Sequence, residues 1–143
     1  MGAGAWGHDY LWGLPLVVLT VMFHVIGLSF IPRETRRNMP FICDYQVVSI
    51  GGVTVSITIL HCVEVFAWAA VFLHLRAVDD KRAAVLYSLN AMTAYAHTTV
   101  QLDRQWQLMG ALESLNGWIL FGLSAAFLFV LIQRIWSGEG SRS

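Results

Sequence analysis

Residues 83–102 read AAVLYSLNAMTAYAHTTVQL, and how this stretch meets a membrane decides the fold. It is less apolar than the runs on either side of it, being interrupted by Asn90, His97, Ser88, Thr93, Thr98 and Thr99. Polar groups at membrane depth are tolerated where they are buried in protein or line a cavity. The stretch therefore predicts a short helix, Arg82 to Ala94, followed by a loop, and no full crossing.

Working outward, Val47 to Leu75 is an apolar run broken by His61, Glu64 and His74, and Trp106 to Trp136 is a second, with a tryptophan at each end as interfacial belts prefer. Before both lies Leu11 to Ile31, uncharged and about 31 Å long as a helix, which matches a bilayer core. Pro15 falls near its start and Pro32 is expected to stop it. The expected fold is all-α and membrane-embedded, with three transmembrane helices and one re-entrant, pore-type helix between the second and third. Its parts are residues 1–45, an N-terminal span and basic loop; 46–137, an outer helix, short helix, loop and inner helix; and 138–143, a tail.

Composition agrees, with 57% hydrophobic and 13% charged residues and a mean hydropathy of +0.60. A soluble domain carries about twice that charged fraction. Nine basic and nine acidic residues cancel without a basic block, so the bilayer is the implied partner and nucleic acid is not. Charge reports topology. Arg33, Arg36 and Arg37 mark the first loop as cytoplasmic, which places the N-terminus outside; Arg134 and Arg142 place the C-terminus inside. That orientation requires residues 83–102 to return to the side they entered from. MGAGAWGHDY has no basic segment of a secretory signal, so the first run is expected to remain as a helix. Cys43 and Cys62 are expected to stay unbridged.

The order HCVEVFAWAAVFL, LYSLNAMTAYAHTTV, WQLMGALESLNGWILFGLSAAFLFVLIQRIW resembles small bacterial two-transmembrane potassium-channel proteins, with one extra N-terminal helix. The likeness covers His61 to Trp136 and rests on His61, Glu64, Trp68, Trp106, Gly110, Glu113, Asn116, Gly117 and Gly122. It implies a homotetramer in the bacterial inner membrane around an ion path for monovalent cations. Thr93, Ala94, Tyr95, Ala96, His97, Thr98 and Thr99 then occupy the selectivity-filter position, and Gly117 and Gly122 are the candidate gating hinges. The family's filter reads Thr-Thr-x-Gly-Tyr-Gly-Asp. Here no glycine lies between Gly52 and Gly110, and a ladder of inward carbonyls needs backbone conformations that glycine adopts freely. Conduction with altered or lost potassium selectivity is the expectation. His97 at the filter would make it pH-sensitive.

A carboxylate inside a span needs a partner. His61 stands one turn before Glu64 on the same helix face, and Glu113 and Asn116 share a face of the last helix. These four are expected to brace the loop from behind. Two other readings compete: a non-conducting structural or regulatory subunit, and a haem protein using His61 and His74, about 20 Å apart along one helix with only His24 on another span. No zinc-type spacing, nucleophile with base, or nucleotide loop is present. Neither enzyme activity, cofactor nor metal is expected.

Overall fold

The computed structural model describes residues 4–38, 46–95 and 100–137, with side chains over 10–31, 48–95 and 100–134. The described chain is helical: α1 (Gly4–Asn38), α2 (Gln46–His74), α3 (Lys81–Met92) and α4 (Gln107–Ser137), the last preceded by a single 3-10 turn, Arg104–Trp106. Three stretches are long and apolar enough to cross a membrane, Tyr10–Ile31, Val48–His74 and Arg104–Arg134. Among the described residues these three helices support a membrane protein. At twelve residues α3 is about 18 Å long and cannot cross.

One expectation fails at the first helix. Pro32 does not end α1, which runs on to Asn38, and Pro15 lies in its interior. Each proline removes one backbone hydrogen bond. Pro15 lies within the span, where lipid offers the freed carbonyl no alternative partner, so a helix that continues past it leaves fewer groups unsatisfied than one that stops.

The pairings fix helix directions. Gly13 lies against Leu112, Thr20 against Asn116 and His24 against Ser124, so α1 and α4 run parallel. Trp12 meets His74, His24 meets Glu64 and Gly27 meets Leu60, so α2 runs against α1. The starts of α1 and α4 therefore share one end of the bundle with the close of α2.

At that end α3 packs between α2 and α4. Asp80 caps it, Oδ2 accepting from the Ala83 amide at 2.8 Å. Tyr87 stands edge-on to Phe72 and its hydroxyl occupies the space a side chain at Gly110 would fill. Farther along, the Met92 backbone lies where a Cβ at Gly117 would be, so α3 and α4 approach to backbone contact. Gly122 has nothing within 4 Å of such a position. Thr93 closes α3, its hydroxyl donating to the Leu89 carbonyl at 2.8 Å, and Ala94 follows with φ 53, a left-handed conformation usually left to glycine. Leu102 and Trp106 then rejoin Phe72, Tyr87 and Met109 in one buried cluster. Trp106 is thus a core residue, packed in that cluster, and not the interfacial-belt tryptophan expected of it. A second cluster, Leu28, Val53 and Ile57, fills the opposite end of the bundle.

Candidate functional site: a buried histidine–glutamate centre

Three spans converge on Glu64. It lies ten residues before the end of α2, is 1% exposed, and faces two imidazoles from two helices. His24 of α1 places Nδ1 2.8 Å from Glu64 Oε1, and His61 places Nδ1 3.3 Å from Glu64 Oε2. On the far side of both rings stands Ser124 of α4, its Oγ 2.9 Å from His24 Nε2 and 3.2 Å from His61 Nε2. The rings are tilted by 43° with centroids 4.9 Å apart. Glu64, His24, Ser124 and His61 thus form a closed ring of four contacts.

Local sequence explains part of this. His61 and Glu64 share a helix face at i and i+3, which sequence reading anticipated. His24 and Ser124 were missed as partners, because His24 lies 40 positions from Glu64 and Ser124 lies 100 from His24. The one available signal was that His24 and Ser124 are polar residues inside otherwise apolar runs, where each needs a partner. Gly27, one turn past His24, receives the Leu60 side chain and lets α1 and α2 close up beside the centre.

Exposure within the ring is uneven. The side chains of His24 and Glu64 are fully covered, whereas that of His61 is 30% exposed. It opens into an apolar cavity of about 610 Å³ between α2, the end of α3 and α4, where Thr58, Cys62, Thr93, Gly117, Trp118 and Phe121 also stand. Cys62 is exposed and unbridged; Cys43 lies outside the described residues.

Glu113 and Asn116 do not join the ring. Asn116 donates through Nδ2 to Thr20 Oγ1 at 3.0 Å, and Thr20 in turn donates to the Leu16 carbonyl. Glu113 is 0% exposed, and among the described residues neither of its oxygens has a hydrogen-bond partner. The Ser88 hydroxyl of α3 lies close enough to act on it but out of hydrogen-bond geometry. Of the filter-position residues, Thr93 and Ala94 end α3 and Tyr95 is exposed, while Ala96, His97, Thr98 and Thr99 lie outside the described residues. Among the hinge candidates, Gly117 is pinned against α3 and Gly122 is unencumbered. His74 stands against Trp12 at the end of α2, ring centroids 6.5 Å apart.

Searched against protein-family models, curated proteins and solved structures, the chain matches none of them.

Proposed function

We propose that the chain is a pore-type protein of the bacterial inner membrane, N-terminus outside, in which α3 dips into the bilayer and the chain returns to the side it came from. Four copies surround an axis and pass monovalent cations with little preference for potassium. One observation carries this reading. The end of α3 reaches Gly117, ten residues and about 15 Å along α4 from its start, yet Leu102 and Trp106 are back at the level of Gly110 and Phe72. A short helix that enters a bundle and a following segment that leaves by the same end is the plan of one quarter of a pore.

The glycine-free stretch argues against a potassium filter. In sealed liposomes, flux of potassium and sodium is expected to be comparable, and to fall as pH drops through the imidazole range if His97 lines the path. The detergent-extracted particle is expected at four times the 16.0 kDa chain. Sharp potassium selectivity would overturn the filter argument. A folded tetramer passing no cation would hand the assignment to the non-conducting subunit.

A further inference from the structure

We propose that His24, His61 and Glu64 form a binding site for a divalent first-row transition metal ion of the zinc class, at mid-membrane; this goes beyond the pore reading and does not depend on it. Their donor atoms all lie within 4.8 Å of one another and come from two helices that pack directly. Two imidazoles and a carboxylate are the donor set such ions take, whereas calcium and magnesium favour oxygen alone.

Counting hydrogens shows why a cation belongs there. The ring has four contacts, and two neutral imidazoles with one hydroxyl supply three hydrogens. If both Nδ1 atoms carry the hydrogen, Ser124 can serve only one of the two Nε2 lone pairs. If both Nε2 atoms donate to Ser124, two nitrogen lone pairs are left facing an ionised carboxylate. With one tautomer of each kind, three contacts are filled and one Nδ1 lone pair still faces the carboxylate, so in every case the ring is one hydrogen, or one cation, short.

A second observation locates the gap: the 2.8 Å contact from His24 has hydrogen-bond length, and the contact from His61 does not. Glu64 Oε2 is buried and makes no hydrogen bond, standing 3.3 Å from His61 Nδ1. That spacing is too long for a charge-assisted hydrogen bond. It equals the edge of a tetrahedron whose metal–ligand bonds are about 2.0 Å. With the ion bound by both Nδ1 atoms and the carboxylate, both Nε2 hydrogens point at Ser124 Oγ, which accepts two. Ser124 then orients the ligands from behind, as outer partners of metal-bound histidine do. His61 supplies the way in, since its ring borders the 610 Å³ cavity while His24 and Glu64 are sealed.

The test uses the full chain, purified in detergent, stripped with a chelator and titrated with zinc, then with cobalt to read the ligand field. One ion per chain is expected, with a cobalt visible spectrum of nitrogen–oxygen ligation. His24→Ala and Glu64→Gln are expected to abolish binding, and Ser124→Ala to weaken it by about 10- to 100-fold. Because the first two remove buried contacts, His61→Gln, at the partly exposed ligand, is the second variant: it should keep the helical circular-dichroism signal and lose the metal. His74→Gln should change nothing. The site is refuted if the folded wild-type chain binds no zinc, or if stoichiometry and cobalt spectrum survive His61→Gln.

Discussion

Two carboxylates are buried in the same bundle under opposite conditions. Glu64 has a histidine at each oxygen, whereas Glu113, eleven residues from Ser124 on α4, finds no hydrogen bond among the described residues. The difference lies in which helices face them. Glu64 looks toward α1 and α4, full spans whose polar residues are held at one depth by long parallel and antiparallel packing. Glu113 looks toward α3, whose Ser88 and Tyr87 lie near it without giving it a hydrogen bond among the described residues. A buried acidic group with partners becomes a pillar of the fold, because its removal strands them; one that makes no hydrogen bond strands none when it goes.

That contrast is sharpest in stability. Glu64→Ala leaves His24 without its carboxylate in a fully covered site, and is expected to cost about 3–5 kcal/mol in reversible denaturant unfolding from mixed micelles. A loss below about 1 kcal/mol would show that the ring contributes little and that the two carboxylates are alike.

Next in size is the seat of α3. A methyl group at Gly117 lands on the Met92 backbone, so Gly117→Ala should cost about 1–3 kcal/mol, whereas Gly122→Ala, with open space around it, should be neutral or slightly stabilising. Equal effects at the two positions would mean that the end of α3 does not pack against Gly117.

Sequence reading located these elements unequally. The three spans follow from hydropathy, and α3 begins within a residue of the expected Arg82 because Asp80 is a strong capping residue with the amide it needs three positions on. The continuation of α1 through Pro32 was not legible, since a proline after an apolar run reads locally as a helix stop. At the site, His61 and Glu64 could be paired from helical spacing alone. Their partners could not: His24 and Ser124 come from α1 and α4, and only the packing of three helices brings them to one point.

The smallest expected effect belongs to Glu113. Glu113→Gln keeps the shape and removes no hydrogen bond present among the described residues, so stability should change by less than about 1 kcal/mol in the same unfolding assay. A loss as large as that of Glu64→Ala would reveal a partner and erase the contrast.

Whether α3 and the residues after it return to the side they came from is the claim on which the pore reading stands. It can be measured with single cysteines at Asp79, in the turn before α3, and at Asp103, just before α4, with Cys43 and Cys62 replaced by serine. Sealed, uniformly oriented vesicles are treated with a membrane-impermeant maleimide from one side at a time. Both positions are predicted to react from the same side; reaction from opposite sides would mean that residues 81–102 cross the membrane, and would contradict the account.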